Sequence, residues 1–337
     1  MDPSELSISR VFDAFTGYQR TAALRAAIEL DLFTAVGSGA DTLPALAERC
    51  GAAERGVRAL ANRLVVDGFL TKNGERYGLV PEAAVFLVRS SPAYLGSMLF
   101  FLTSPTIRAA FDTLTDAVRR GGTAIDADGG TVAPDHPVWV QFARDMAPAA
   151  TMTSEVVATL LAQHGPIRGT VLDVAAGHGL FGITLARHNP EARIVALDWP
   201  AVLEVAGENA KAAGVADRFT RLPGSAFDVD LGAGHAVVLV TNFLHHFDLA
   251  TCETFLRRVR ASLAPGGRVA VVDFVTDESR VTPPEAAAFA LTMLAATPAG
   301  DAYTLGEYRR LFAAAGFSEP ALHHLLPTPQ QALLATA

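Results

Sequence analysis

Cysteine is nearly missing from this chain. Cys50 and Cys252 are the only two among 337 residues, too few for a disulfide framework or a cysteine metal cluster. Basic residues are also short: 27 Lys and Arg stand against 35 Asp and Glu, for a formal net charge of -8. A chain dedicated to DNA would carry a basic excess or patch, so no nucleic-acid partner is expected. No apolar run reaches membrane-spanning length, because charges break the alanine-rich stretches. The opening MDPSELSISR lacks the charged-then-apolar pattern of a signal peptide. The expectations left by these shortages are no membrane partner, no metal and a cytoplasmic setting. Apolar residues, by contrast, make up 50% of the chain and charged ones only 18%. A sizeable core is therefore expected, and the length allows two domains.

Residues Val11 to Leu32 read as one amphipathic helix dense in Ala and Leu. Thr42 is a candidate N-cap with Pro44 in the first turn, and the short helix they begin ends before Gly51. A second helix from Ala53 to Asp67 stops at Gly68. Two short strands then flank Asn73-Gly74, a strong hairpin signal. Helix, turn, helix, hairpin is a winged helix. Its second helix carries Arg55, Arg58 and Arg63, offset by Glu54 and Asp67. A structural or dimerising role is therefore expected, with a DNA-binding regulator as the alternative from a different class. Helices continue from Ala83 to Arg120, a polar connection spans Gly121 to Pro137, and Val138 to Gln163 reads as one long helix.

From Thr170 onward strands and helices alternate. Strands are expected at Thr170–Val174, Ile194–Leu197, Phe219–Leu222, Ala236–Thr241 and Arg268–Phe274. This rhythm implies an α/β domain, a parallel sheet wrapped on both faces. Asp173, Asp198, Ser225, Asn242 and Asp273 lie at or just past the strand ends, where such sheets bind ligands. The turn Ala176-Gly177-His178-Gly179 lets backbone approach a ligand closely. Asp198, about twenty residues on, suits the hydroxyls of a ribose. The spacing Gly177, Gly179, Gly182 is also that of dinucleotide sites, so NAD stays open at this point.

The segments VLDVAAGHG, ALDWPAVLE, GSAFDVD, NFLHHFD, LAPGGRVAVVDF, TPAGDAYT and LFAAAGF occur in that order. Together they resemble the class I S-adenosylmethionine-dependent small-molecule O-methyltransferases that carry an N-terminal winged-helix dimerisation domain. Caffeate and acetylserotonin methyltransferases and tailoring enzymes of bacterial aromatic polyketides belong to that group. The resemblance spans nearly the whole chain. It implies a winged-helix dimerisation domain over 1–105, linking helices over 106–160 and a Rossmann-like methyltransferase domain over 161–337. It also implies S-adenosylmethionine as cofactor, S-adenosylhomocysteine as product, a small, aromatic hydroxyl compound as acceptor, and a homodimer.

Residue by residue, the resemblance places Asp173, Gly177 and Gly179 around the methionine part of the cofactor, and Asp198 at the ribose. Gly224-Ser225-Ala226-Phe227 flanks the adenine, with Ser225 where the family has Asp, and Asn242 joins the cofactor set. His245 matches the catalytic histidine. A phenol has a pKa near ~10, so a neutral imidazole is needed to take its proton as the oxygen attacks. Asp273 matches the acid that orients that imidazole, whereas the second family acid falls on Ala302, with Asp301 beside it. His246 reads as a solvated turn residue and His323-His324 as a surface feature. Phe142, Met146, Met293 and Tyr303 match acceptor contacts, Tyr303 replacing an Arg, and Met98, Phe100 and Phe101 are further candidates. Methyl transfer to nitrogen or carbon, and a non-methylating member of the same fold, are the alternatives.

Overall fold

A computed structural model describes residues 8–125 and 129–337. Part of the expected Gly121–Pro137 connection, residues 126–128, lies outside the described residues, as do the first seven. The chain divides into two units, Met1–Phe100 and Phe101–Ala337. The helices expected as a separate linker over 106–160 therefore fall in the second unit.

In the first unit the helix expected over Val11–Leu32 runs from Ser9 to Glu29, and a further short helix, Leu32–Gly37, follows Asp31, which takes a left-handed φ of 55°. Helix Leu43–Cys50 starts at Thr42 and closes on Gly51 at φ 60°. Helix Glu54–Val66 follows, then an antiparallel pair, β1 (Leu70–Asn73) and β2 (Arg76–Leu79), turning at Gly74 with φ 57°. Ile28, Leu32, Phe33, Leu46 and Leu64 fill its core. Arg63, one of the three helix arginines, is held by the buried Asp67 carboxylate, which Arg20 also contacts. Phe12, Phe15 and Tyr18 on the first helix stay 55–71% exposed.

In the second unit, the helix expected over 138–163 breaks into Val138–Asp145 and Ala147–Ala162. Pro148 is the cause. It has no N–H to give, and its ring would meet the Arg144 carbonyl in a continuous helix, so it is tolerated only in a first turn. Met146 sits at the junction.

The sheet has seven strands: β3 (Gly169–Val174), β4 (Ala192–Asp198), β5 (Phe219–Pro223), β6 (His235–Thr241), β7 (Leu263–Asp273), β8 (Ala321–His324) and β9 (Gln331–Thr336), in the order β5-β4-β3-β6-β7-β9-β8. Strands β3 to β7 run parallel as expected, but β9 is antiparallel to both β7 and β8. The two layers can be read off alternate residues. Leu172, Val174, Val238 and Val240 pack with Phe255, Tyr308 and Phe312 on one face. Val171, Val237, Leu239 and Val272 pack with Leu161, Phe181 and Ile183 on the other. That period of two, apolar on both faces, is what a doubly covered parallel sheet requires.

The strand expected to begin at Arg268 begins at Leu263. His235 pairs with Leu263 while Val237 pairs with Arg268, so Pro265-Gly266-Gly267 forms a bulge inside β7, with Gly266 at φ 74°. The order of strands reverses at β3: the chain passes outward through β4 and β5, then returns to β6 on the other side. Ligands bind beyond the strand ends at such a reversal.

Gly182 has a packing role. A Cβ there would stand 2.7 Å from Ile194 Cγ2 and 2.9 Å from Asp173 Oδ2. The third glycine of the apparent dinucleotide spacing thus lets helix Leu180–His188 lie against the sheet. Gly182→Ala is expected to destabilise the fold by ~1–3 kcal/mol through overpacking, lowering the Tm by roughly 2–4 °C per kcal/mol. An unchanged melting curve would show that the contact is not tight.

Candidate functional site

The turn after β3 is built from left-handed residues: Ala175, Gly177 and Gly179 have φ of 50°, 58° and 73°. Glycine meets this demand without a Cβ penalty, whereas Ala175 bears one. At Gly179 a Cβ would also come within 3.0 Å of Ala206. The turn is tied to the tip of β4, where Asp198 Oδ2 accepts from Gly177 N at 2.8 Å and Oδ1 from Trp199 N at 2.7 Å. Each carboxylate oxygen retains a second lone-pair site. Burial pushes the Asp198 carboxyl up to about 6, against the lowering effect of these two amides.

Asp173 is fully buried. Its Oδ2 accepts from Gly182 N at 3.0 Å, while Oδ1 has no hydrogen-bond partner. Burial first, and the nearby Asp198 charge to a lesser degree, push its carboxyl up to about 7. An orphaned buried acceptor beside a glycine cradle fits a ligand that brings a donor or a positive charge. His178, inside the turn, is lowered to about 4 by burial and is therefore neutral at pH 7. Its Nδ1 accepts from Leu180 N, and its ring stacks on Phe142 at 6.3 Å.

Beyond β5, Ser225 Oγ accepts from Phe227 N at 3.1 Å. Arg258 grips this segment through three carbonyls, those of Ala226, Phe227 and Val229, at 2.8, 2.6 and 2.7 Å. Nothing in the local sequence marks Arg258, since its partners are main-chain atoms about thirty residues away. The Phe227 ring packs with Phe243, Phe247 and Phe255. Asn242, just past β6, has φ 53°, and its side-chain carbonyl accepts from the Gln330 amide.

The expected His245–Asp273 pair is present. His245 Nδ1 lies 2.6 Å from Asp273 Oδ1, with both side chains buried. A carboxylate only accepts, so Nδ1 carries the proton of this bond and Nε2 is the ring nitrogen left to act as an acceptor. Asp273 Oδ1 also accepts from Phe274 N at 2.8 Å, and Oδ2 accepts from Tyr308 Oη at 2.9 Å. The sequence reading missed Tyr308; the signal was its capping-box helix, Thr304 to Glu307, placed after the empty acid position. Asp301 does not reach the imidazole: its N–H donates to the His245 carbonyl, and its carboxylate pairs with Arg280 at 3.0 Å. Ala302 is buried.

Aromatic contacts form a continuous row from the glycine turn to His245. Phe142 lies 5.8 Å from Trp139, Trp139 5.1 Å from His246, and His246 4.2 Å from His245. Phe101 packs edge-on against Phe142 at 5.1 Å, and Phe289 against His245 at 4.7 Å. Phe289 was not anticipated, though it shares helix Pro284–Ala296 with the buried Met293. His246 is more than a solvated turn residue. It donates from Nδ1 to the Phe243 carbonyl, and burial with the neighbouring His245 holds it neutral. Met98 and Phe100 belong to the first unit. Tyr303, expected as an acceptor contact, is 4% exposed, its hydroxyl donates to the Phe247 carbonyl, and its ring packs with Tyr308 in the core. An apolar environment that satisfies the phenol internally outweighs the expected polar role. Among the described residues no three His, Cys, Asp or Glu side chains are grouped to hold a metal, and no helix is long and apolar enough to cross a membrane.

Comparison with known proteins gives the family. Residues 111–318 match the O-methyltransferase domain model, and residues 12–89 match the O-methyltransferase dimerisation domain model. The 3-hydroxy-5-methyl-1-naphthoate 3-O-methyltransferase of Streptomyces sahachiroi is 31% identical over 317 residues, 91% of this chain and 88% of the relative. The tetracenomycin polyketide synthesis 8-O-methyltransferase of Streptomyces glaucescens is 30% identical, over 88% of this chain and 87% of that one. A crystal structure of a candidate O-methyltransferase from Nostoc punctiforme superposes with a TM-score of 0.94 at 48% identity, covering 98% of this chain and 100% of its own. The human N-acetylserotonin methyltransferase, solved with S-adenosylmethionine, shares the fold at a TM-score of 0.82 and 22% identity, over 100% and 99% of the two chains. The chain belongs to the O-methyltransferase family and is built, as that family is, from a dimerisation domain followed by a methyltransferase domain.

Proposed function

We propose that this protein transfers a methyl group from S-adenosylmethionine to a hydroxyl of a small aromatic metabolite, with His245 as general base. The observation that carries this reading is the buried pair of His245 Nδ1 and Asp273 Oδ1 at 2.6 Å, the first just past β6 and the second at the end of β7. When bound, the cofactor supplies a methyl group on a positively charged sulfur. Asp173, Gly177 and Gly179 hold its methionine part, the orphaned Asp173 Oδ1 being the natural acceptor for a donor there. Asp198 accepts from the ribose hydroxyls with its remaining lone pairs. Ser225, Ala226 and Phe227 flank the adenine, Ser225 as a neutral contact, and Asn242 borders the crevice.

Phe142 with Met146 and Met293 lines the slot for the acceptor ring. His245 Nε2 takes the hydroxyl proton as the oxygen becomes nucleophilic, and Asp273 balances the imidazolium that results. The rest of the acceleration comes from holding the reacting atoms in line. The naphthoate and tetracenomycin relatives support an aromatic hydroxyl as acceptor. The protein works as a homodimer, supported by the dimerisation-domain match and the exposed Phe12, Phe15 and Tyr18.

His245→Ala is expected to leave cofactor affinity intact by calorimetry and to cut turnover about a hundredfold or more, read on a panel of phenols, catechols and hydroxyquinones with labelled cofactor. Undiminished turnover would remove His245 as the base and favour transfer to nitrogen or carbon.

The acid at β4 generates a second expectation. Ribose hydroxyls donate to the ionised form of Asp198, whose carboxyl stands at about 6. Binding therefore favours loss of the proton, and affinity falls as pH drops through that value. At pH 5 only about a tenth of the Asp198 carboxylate is ionised, so the Asp198 share of the rise in cofactor Kd between pH 8 and pH 5 is expected to be up to about tenfold, with protonation of Asp173 adding to it from about pH 7 downward. Asp198→Ala should weaken binding at pH 8 and flatten the part of this dependence below pH 6. Equal affinity in the variant at pH 8 would refute the ribose assignment.

A further inference from the structure

We infer that Tyr308 is a positioning residue that sets the proton affinity of the His245–Asp273 pair through a fixed hydrogen bond to Asp273 Oδ2. The inference rests on the reading of His245 as base for its catalytic consequence, but not for its physical content. Asp273 is 0% exposed, and its two oxygens are treated differently. Oδ1 accepts from His245 Nδ1 and from Phe274 N, whereas Oδ2 accepts from Tyr308 Oη at 2.9 Å. The Tyr308 ring that carries this donor belongs to the apolar layer of Leu311, Phe312 and Tyr303. Without the phenol, one end of a buried anion would face hydrocarbon, a costly arrangement that protonation relieves.

The phenol is suited to be a permanent donor. Tyr308 is fully buried, and its hydroxyl titrates well above the ordinary range, through burial first and the Asp273 charge second. Its backbone is fixed at both ends of the first turn. Thr304 caps the helix with a capping box to Glu307, Arg280 holds Glu307, and Leu305 N donates to the Thr276 carbonyl, three residues past Asp273. The other titratable groups around the pair are engaged elsewhere: Cys252 with the Leu244 carbonyl, Tyr303 with the Phe247 carbonyl, His246 with the Phe243 carbonyl and Asp301 with Arg280. None of these bonds reaches Oδ2. Where the family's second acid is replaced by Ala302, the pair is thus completed by a neutral donor on the far side of the carboxylate.

The Tyr308 bond draws negative charge off the Asp273 carboxylate and so weakens its support of a His245 imidazolium, which lowers the pH at which His245 takes up a proton. Tyr308→Phe deletes one oxygen and keeps the ring in the core. In the full-length variant, imidazole 15N titration of His245 should show proton uptake about one pH unit higher than in the parent. The acid limb of kcat/KM, measured on any accepted phenol, should move up equally, with KM little changed. A lower Tm with both profiles unmoved would overturn the inference and leave Tyr308 a core residue. His245→Ala measured alongside separates the two claims. If that variant turns over normally the base reading fails, while the 15N titration still decides the role of Tyr308.

Discussion

Asp173, Asp198 and Asp273 stand at the tips of parallel strands β3, β4 and β7, where the main-chain ladder ends and a buried charge has to find donors. A parallel sheet covered on both faces offers such tips little water, so each carboxylate organises the backbone around it. Asp198 draws in the amides of Gly177 and Trp199 and so determines the path of the glycine turn. Asp273 draws in an imidazole, an amide and a phenol, and so fixes where β6, β7 and helix Leu305–Ala315 meet. Asp173 finds only one amide. The difference in satisfaction sorts the three: Asp273 is complete within the protein, while Asp173 and Asp198 retain acceptor capacity for something that enters.

Much of this was legible because it is local. The period of two in Val171 to Val174 and Val237 to Val240 marks doubly buried strands, and the acids Asp173, Asp198 and Asp273, at or next to the ends of three strands, mark the crevice. Asp273 is also marked by its position at a strand end, whereas the roles expected of His245 and Asp273 came from the resemblance of NFLHHFD and LAPGGRVAVVDF to the family motifs. What was not legible depends on contacts between distant segments. Arg258 acts on carbonyls, which every residue has, so no side-chain pattern announces it. Tyr308 looks like an ordinary helix residue until the helix is docked against β7. Tyr303 is a different case. Its alignment with a polar residue of relatives suggested the acceptor site, but the Phe247 carbonyl and the surrounding aromatic cluster provide a buried phenol with all it needs.

The helix breaks have the same lesson at a smaller scale. Amphipathic periodicity runs smoothly across Asp31 and Met146, and it describes which face is buried, not where the axis turns. At Met146 the cause was available in Pro148, whose missing N–H is harmless only in a first turn. At Asp31 the left-handed backbone is permitted by a short polar side chain, but no motif demanded it. The bulge at Pro265-Gly266-Gly267 is a comparable case. The residues announce an interruption, and only the pairing of His235 with Leu263 shows that β7 continues through it.

The electrostatic character of the crevice follows from these placements. His178 and His246 lie in the aromatic row, yet burial keeps both imidazoles neutral, so neither adds a fixed positive charge beside the glycine turn. Against that neutral row stand Asp173 and Asp198, whose raised values mean that each gains from a cation or a donor nearby. A ligand carrying positive charge therefore meets ring faces, the unpartnered Asp173 Oδ1 and the remaining lone pairs of Asp198. Loss of a methyl group converts a sulfonium to a neutral sulfide and removes that attraction. Under the proposed assignment of Asp173 and Asp198 to the cofactor, the methyl donor would therefore be held more tightly by charge than its demethylated product, while ribose and adenine contacts would hold both alike.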